Sequence, residues 1–261
     1  MPAKTGTPPS YGVDGLGTRL ATGPGTAGVT GRGATLGAMA SARDIEIRVG
    51  PEPLAGVLTL PPASAGLVVF AHGSGSGRRS PRNRQVATAL QARGFGTLLV
   101  DLLSPAEQRR DDLSRELRFD IGLLGARVAD IVAWLATQAE TAALPVGLYG
   151  ASTGAAAALV AAARQPQAVR AVVSRGGRPD LAGDDLARVH AATLLIVGGL
   201  DATVLRLNQE ALRALAGPRD LAIVPGAGHL FEEPGALDEV ARLTGEFFER
   251  YLTAPLTGPP G

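Results

Sequence analysis

The pattern of hydrophobic and polar residues marks the start of an ordered domain near position 44. Ile45, Ile47 and Val49 alternate with polar neighbours, and a second strand-like run covers residues 56–60, which together predict an antiparallel hairpin. Residues 66–71 form a continuous apolar run, which is typical of a strand that is buried on both faces of a sheet.

Beyond that strand, helical and strand patterns alternate. The predicted strands cover residues 96–100, 145–149, 169–174, 193–197 and 221–224. The predicted helices begin near residue 81 and then cover residues 121–139, 152–164, 184–190, 205–215 and 236–252. This alternation predicts an α/β fold with a mostly parallel central sheet, helices on both faces and right-handed crossovers. Ligands bind at the carboxyl ends of the strands in such sheets, so we expect the site at that edge.

The two ends of the chain differ in composition from this middle part. Residues 1–42 are dense in Gly, Thr, Pro and Ala and poor in apolar residues, so we expect a disordered tail, with a linker or a weak targeting arm as the functional alternative. Residues 253–261 are expected to form a flexible C-terminal tail. One domain covers residues 43–252, and the stretch between residues 174 and 193 is too short for a large cap domain.

Composition narrows the class of partner. The 261-residue chain is 45% hydrophobic and 19% charged, which suits one globular domain with a full core. A formal net charge of +1 leaves no broad basic surface for nucleic acid. Because no stretch approaches the length of a membrane span and no signal peptide is evident, we expect a cytoplasmic protein, monomeric or homodimeric, without membrane association.

The chain has no cysteine and three histidines. The absence of cysteine excludes a disulfide framework, a thiolate metal site and a catalytic thiol, so a covalent nucleophile must be an oxygen or an amine. The histidines are too scattered for an obvious metal cluster, and we expect neither a metal nor another cofactor.

A Gly-x-Ser-x-Gly motif covers residues 150–154, between a predicted strand and a predicted alanine-rich helix. In that context the motif is typical of a nucleophile elbow, where strained backbone angles lift the serine hydroxyl above the sheet edge. The flanking glycines are needed because side chains there would collide with the strand and the helix. The sequence therefore predicts Ser152 as the nucleophile, although the pentapeptide alone also arises by chance in glycine-rich chains.

A serine hydroxyl needs a general base at neutral pH, and histidine suits that task. His229 follows the last predicted strand through the loop 225–228, so we predict it to be the base. His72 ends an earlier strand beside glycines, where it is better placed to shape a loop. His190 is expected to be a surface or capping residue.

The base in turn needs a buried carboxylate that fixes its tautomer. Asp201 follows the predicted strand 193–197, and the order Ser152, Asp201, His229 is that of the α/β-hydrolases. Asp180, in a loop further from its strand, is the competing candidate. A turn-forming aspartate is the alternative role for Asp201.

Acyl transfer also needs two amide donors for the oxyanion of the tetrahedral intermediate. One is expected to be the backbone N–H of Thr153, directly after the nucleophile, and the other the N–H of Ser74 in the glycine-rich loop 72–77. That loop lacks the Gly-Lys-Ser/Thr ending of a phosphate-binding loop and the spacing of a dinucleotide-binding one.

These motifs resemble those of the dienelactone-hydrolase-like branch of the α/β-hydrolases over roughly residues 43–252. The resemblance implies a cofactor-free hydrolase acting on small esters or lactones, with Ser152, Asp201 and His229 at the matching positions. Dienelactone hydrolases proper carry a cysteine where Ser152 stands, which favours a general esterase. Some relatives are fused to a phosphoribosyltransferase domain, which we do not expect residues 1–42 to form. The segments that carry the resemblance are 71–75, 150–154, 198–201 and 228–231.

Substrate contacts are expected from residues on the loops around this edge. Arginines could hold an acidic substrate in a planar fork, and the alternative is a solvated rim that pairs with Glu107, Asp111 and Asp112. The arginines in question are Arg78, Arg79, Arg82, Arg84, Arg175 and Arg178. Our candidates for substrate binding are His72, Arg78, Arg175 and Phe231.

The function predicted from these residues is hydrolysis of a small-molecule carboxylic ester through an acyl-enzyme on Ser152. Two alternatives stay open. The same triad could serve an acyltransferase or an amidase, because those activities share the triad and the oxyanion donors. A non-catalytic binding module of the same fold is the third possibility.

Overall fold

In the computed structural model, the described residues are 41–50 and 53–253. The predicted tails lie outside these ranges, except for residues 41–42 and 253. The strands are β1 (Ala42–Ile47), β2 (Leu54–Thr59), β3 (Leu67–Ala71), β4 (Gly96–Val100), β5 (Val146–Ala151), β6 (Val169–Arg175), β7 (Ala192–Gly198) and β8 (Arg219–Val224). The helices are α1 (Pro81–Ala92), α2 (Pro105–Ser114), α3 (Ile121–Leu135), α4 (Thr153–Arg164), α5 (Ala202–Ala214) and α6 (Ala236–Leu252), with 3₁₀ turns at Leu117–Phe119 and Pro179–Arg188.

The strands form one 8-stranded sheet in the order β1-β2-β4-β3-β5-β6-β7-β8. The pairs β1/β2 and β2/β4 are antiparallel, and every other neighbouring pair is parallel. The predicted α/β-hydrolase fold with a mostly parallel sheet is confirmed. Because the strands from β3 to β8 run in one direction, their carboxyl ends meet at a single edge of the sheet.

Helices cover both faces of the sheet, and each face has its own core. On one side, α3 and α4 pack their buried faces against β3 and β5, with Val128, Leu159 and Leu148 among the fully buried residues. On the other side, α1 and α6 contribute residues such as Leu90 and Phe248. Trp134 is partly buried against the first of these cores.

Helix α4 owes its close approach to the sheet to its alanines. Alanine has the highest helix propensity, and its small side chain lets a helix pack near a strand or another helix. The contact with α3 is tight, because a Cβ added at Gly125 would lie 2.5 Å from Val160 Cγ1. Helix α4 therefore packs closely against α3 as well as against the sheet.

Two elements differ from the sequence-based prediction. Helix α2 is absent from it, because its ten residues have no apolar stripe. The capping box formed by Ser104 and Glu107, with Pro105 at the first helical position, is the pattern that could have revealed this helix. The predicted helix 184–190 is instead a 3₁₀ segment interrupted at Gly183, whose φ of 54° breaks the helical path.

No large cap covers the carboxyl edge in the described part of the chain, as the short connection between β6 and β7 predicted. Within residues 41–50 and 53–253, no helix is long and apolar enough to cross a membrane.

Candidate active site

Ser152 lies at the turn between β5 and α4 in a strained backbone conformation. Its φ of 51° and ψ of −122° are unfavourable for a residue with a side chain. Two hydrogen bonds hold this conformation: the Ser152 N–H donates to the Arg175 carbonyl at 3.2 Å, and the Arg178 N–H donates to the Ser152 carbonyl at 3.1 Å. This is the geometry expected of a nucleophile elbow.

Both glycines of the motif are required by close packing. A Cβ at Gly150 would lie 2.4 Å from the Cα of Ala155, and one at Gly154 would lie 2.2 Å from the carbonyl oxygen of Ala71. Real Cβ atoms do not approach other atoms so closely, so neither position can accept a side chain without moving the elbow. The structure thus agrees with the steric reason for which the motif was singled out.

His229 and Asp201 meet at the same edge. Asp201 follows β7 and His229 follows β8, and the distance from His229 Nδ1 to Asp201 Oδ2 is 2.7 Å. The Asp201 side chain is 15% exposed and that of His229 39%. Asp201 Oδ1 also accepts from the Val204 N–H at 3.3 Å, so the carboxylate caps α5 while it orients the imidazole.

The competing residues lie elsewhere. Asp180 forms a two-pronged ion pair with Arg178 at 2.7 and 2.9 Å and does not contact His229. His190 is exposed. His72 donates from Nδ1 to the Gly73 carbonyl at 2.9 Å and accepts at Nε2 from the Leu102 N–H at 3.1 Å. Of the three histidines, His229 has the carboxylate partner that a general base requires.

The loop that carries His229 is held by contacts that sequence reasoning missed. Glu233 accepts from the Gly228 N–H at 2.9 Å, and this carboxylate follows the histidine by only four residues. A Cβ at Gly198 would lie 2.4 Å from the carbonyl oxygen of Ala227, so β7 and this loop touch through backbone atoms. Gly198 lies shortly before Asp201, and Gly228 directly precedes His229. These two glycines are the sequence pattern that could have indicated the backbone contact.

Ser152 and His229 line one pocket of about 230 Å³ at the carboxyl edge. Within the described residues, Ser152 Oγ has no hydrogen-bond partner, so its bond to His229 Nε2 is not formed in this geometry. Such contacts are often long in the free enzyme and tighten when substrate binds. The other polar residues that line the pocket are Ser74, Ser76, Ser80, Arg82, Asn83 and Arg175.

The predicted oxyanion donors lie next to this pocket. Thr153 is the first residue of α4, where a backbone N–H has no intrahelical acceptor. The Ser74 N–H, in contrast, donates to Thr153 Oγ1 at 2.9 Å. Gly73 brings this loop against the nucleophile, because a Cβ there would lie 3.0 Å from Ser152 Cβ. The two predicted donors are therefore neighbours, but the Ser74 N–H already donates to the Thr153 side chain.

Arg175 is a buried cation beside the nucleophile. It is 6% exposed, it lies opposite Ala151 in the pairing of β5 with β6, and its Nε has no partner. Its Cζ lies 5.9 Å from the centre of the Phe231 ring, and a long contact of 3.4 Å reaches Asn83 Oδ1. Among the described residues, no carboxylate pairs with this guanidinium.

Burial raises the pKa of the neighbouring Tyr149 phenol, and the Arg175 charge opposes that rise only in part. The phenol therefore stays neutral and supplies no compensating charge. The positive charge of Arg175 is left facing the pocket, which also contains Arg82, whose partner is the exposed Glu232.

The remaining candidates for substrate contact occupy other places. Arg78 pairs with Asp101, and neither it nor His72 lines the pocket of Ser152. Phe231 is buried behind Arg175, with a φ of 56°, and it is Leu230 that reaches the pocket.

The acids expected to pair with the rim arginines do not do so. Glu107 pairs with Arg127, and Asp111 pairs with Arg118, which also lies within 3.4 Å of Asp112. The three acids belong to α2, which the sequence patterns did not predict, and their partners belong to the 3₁₀ turn that follows it and to α3. Within the described residues, no cluster of three or more histidines and acids could hold a metal ion.

Comparison with known proteins identifies the family of this chain. The family model described as "Dienelactone hydrolase family" matches residues 54–253. The structure of a dienelactone hydrolase from Anabaena variabilis is similar, with a TM-score of 0.81 and 52% identity over 82% of this chain and 100% of that one. Est1E from Butyrivibrio proteoclasticus shares the fold, with a TM-score of 0.66 at 14% identity over 79% of this chain and 98% of that one.

A protein of Mycobacterium tuberculosis strain H37Rv, named "Putative phosphoribosyl transferase Rv0571c", is 58% identical over 221 residues. The match covers 84% of this chain and 48% of that protein, so the chain spans about half the length of this relative. Because the family model matches residues 54–253 and the structure shares the fold and the elbow, the chain belongs to the dienelactone hydrolase family.

Proposed function

We propose that this protein hydrolyses small carboxylic esters through an acyl-enzyme on Ser152. The observation that carries the proposal is the 2.7 Å contact of His229 Nδ1 with Asp201 Oδ2, at the edge where Ser152 occupies its elbow. Membership of a hydrolase family supports the same class of reaction.

In the proposed reaction, Ser152 Oγ attacks the ester carbonyl while its proton passes to His229 Nε2. Asp201 keeps the Nδ1–H of the ring in place and stabilises the imidazolium as it forms. The tetrahedral intermediate then expels the alcohol, which takes the proton from His229. A water molecule repeats the sequence on the acyl-enzyme and releases the acid, with His229 again acting as base and then as acid.

Arg175 favours an ester whose acyl or alcohol part carries an anionic group. A buried guanidinium without a carboxylate partner is costly, and a bidentate carboxylate or phosphate would satisfy it. The pocket of about 230 Å³ accommodates the ester group and a few carbon atoms around it. His72 and Arg78, which do not line the pocket, are not included in this proposal.

The first experiment is reaction of the purified protein with a fluorophosphonate probe, followed by peptide mapping, alongside turnover of p-nitrophenyl acetate and butyrate. A single adduct on Ser152 together with ester turnover is expected. If the protein forms no adduct and shows no turnover, the result would favour the non-catalytic module. Turnover that depends on an added alcohol or amine acceptor, or that is faster with p-nitroanilides, would identify an acyltransferase or an amidase.

The second experiment compares p-nitrophenyl hemisuccinate with p-nitrophenyl butyrate, which differ in one carboxylate. A higher kcat/KM for the hemisuccinate is expected, and Arg175→Gln should remove the difference. Arg79→Gln is the matched control, because Arg79 does not line the pocket. Equal kcat/KM values for the two esters in the wild type would contradict the preference for an anionic substrate. They would not contradict the esterase reaction itself.

The phosphoribosyl transferase activity in the name of the mycobacterial relatives is not carried over to this chain. The chain matches 48% of those proteins, and the described domain matches the hydrolase family.

A further inference from the structure

The Thr153 hydroxyl lies between the two groups that sequence reasoning assigned to the oxyanion. The Ser74 N–H donates to Thr153 Oγ1 at 2.9 Å, across 79 residues of sequence. An amide proton used in this way is not aimed at a substrate oxygen. The Ser74 amide can therefore bind the oxyanion directly only if this hydrogen bond breaks.

The hydroxyl itself has unused capacity. A threonine hydroxyl has one proton to donate and two lone pairs that accept. Accepting from the Ser74 N–H occupies a lone pair and directs the hydroxyl proton elsewhere. In the described part of the chain, no oxygen accepts that proton, although Thr153 is only 6% exposed.

The hydroxyl also adjoins the pocket of Ser152, because its Oγ1 lies 2.9 Å from the backbone nitrogen of Ser74, which lines that pocket. Thr153 is the first residue of α4 and directly follows Ser152, and its N–H is one of the free donors of the helix N-terminus. The oxyanion is the oxygen on the carbon that bonds to Ser152 Oγ. It therefore forms beside the residue that directly precedes Thr153. The partial positive charge of a helix N-terminus favours an anion at that point.

We propose that the Thr153 hydroxyl is the second donor to the oxyanion, beside the Thr153 N–H, and that the Ser74 amide acts through it. The inference rests on the proposed esterase reaction. As Ser152 Oγ bonds to the carbonyl carbon, its proton goes to His229 and the carbonyl π electrons move to oxygen. That oxygen accepts from the Thr153 N–H and from the Thr153 O–H. The Ser74 N–H stays on Thr153 Oγ1, which it polarises, so the three groups form one cooperative chain.

If the hydroxyl instead blocks the Ser74 amide, its removal should have the opposite effect on activity. If Thr153 only occupies the Ser74 amide, then removing the hydroxyl frees that amide to bind the oxyanion. Thr153→Val, which replaces the hydroxyl with a methyl group of similar shape, would then leave activity unchanged or raise it. Thr153→Ser keeps the hydroxyl and is the matched control.

The test measures kcat and KM for p-nitrophenyl butyrate and the affinity of phenylboronic acid, which forms a tetrahedral serine adduct. For Thr153→Val we expect kcat to fall about 10²–10³-fold with little change in KM, as for the loss of one oxyanion donor. Boronate affinity should fall in parallel, while the affinity of the product butyrate stays constant. Thr153→Ser should restore kcat to within about tenfold of the wild type.

Thermal unfolding of each variant separates these effects from loss of fold, and butyrate binding reports an intact pocket. Wild-type kcat in Thr153→Val overturns the inference and leaves the esterase standing. A wild-type protein that neither turns over esters nor binds the boronic acid overturns both.

Discussion

His229 Nδ1 lies 2.7 Å from Asp201 Oδ2, although 28 residues separate them in the chain. The pairing of β7 with β8 produces this contact, because Gly198 and Val224 are aligned at the carboxyl ends of the two strands. The loops that leave these ends each carry one of the two side chains. Parallel pairing thereby converts two distant positions into neighbours.

Asp201→Asn is expected to lower kcat by up to about 10⁴-fold, because an amide no longer holds the required tautomer of His229. The asparagine oxygen can still accept from the Val204 N–H, so the cap of α5 and the stability of the fold should change little. Steady-state kinetics with p-nitrophenyl butyrate and thermal unfolding measure the two effects.

Asp180→Asn serves as the control for that variant, because Asp180 is paired with Arg178 and does not contact His229. Its kcat should stay within about tenfold of the wild type. If Asp180→Asn proves the more damaging change, the acid has been assigned to the wrong residue.

Ser152→Gly is expected to be more stable than Ser152→Ala, although neither should turn over substrate. Ser152 has a φ of 51°, and glycine alone adopts such angles without strain. Relief of strain should outweigh the backbone entropy of glycine by on the order of 1 kcal/mol in the free energy of unfolding. Urea denaturation of the two variants provides the comparison, and an alanine variant of equal or greater stability would contradict the strained elbow.

Gly198→Ala is expected to impair both stability and turnover. The new Cβ would lie 2.4 Å from the carbonyl oxygens of Ala227 and Gly228, so the loop that carries His229 must move. We expect a loss of about 1–3 kcal/mol in unfolding free energy, together with a lower kcat.

Gly122→Ala is the matched control, since its Cβ would meet only Asp120 Oδ1 at 3.4 Å in the first turn of α3. That variant should be neutral or more stable by up to about 1 kcal/mol. A Gly198→Ala protein that behaves like Gly122→Ala would show that the contact between β7 and the histidine loop is not tight.

Stability should fall in mild acid because of His72. Burial lowers the pKa of this ring below its ordinary value of 6.5, although the Gly73 carbonyl and Asp101 oppose the shift. Below pH 6.5 the unfolded chain takes up a proton that the folded state refuses, so the free energy of unfolding decreases as the pH falls. Above that pH the neutral ring contributes no slope.

Urea midpoints measured between pH 8 and pH 5 test this effect, with His72→Gln expected to reduce the slope. His190→Gln is the matched control, because it removes an exposed histidine. The prediction fails if the two variants lose the same share of the slope.

Local patterns predicted most elements well, and their failures have physical causes. The helix at Ala236–Leu252 matches its predicted bounds, because its apolar stripe and glycine-bearing entry are both visible in the sequence. Helix α2 was missed because its stability depends on capping and on ion pairs with residues outside it, such as Arg127 with Glu107. Strand and helix ends moved by a few residues where turns and caps decide the boundary.

By itself the sequence determined the elbow motif, the order of Ser152, Asp201 and His229, and the alternation that requires a parallel sheet. These depend on local sterics and on hydrophobic periodicity, which short stretches of chain encode. Only the tertiary structure decided that Asp201 rather than Asp180 contacts His229, that Arg175 is buried without a carboxylate, and that the Ser74 amide bonds to Thr153 Oγ1. Such contacts join residues from different strands and loops, so they exist only once the sheet has set the distances between them.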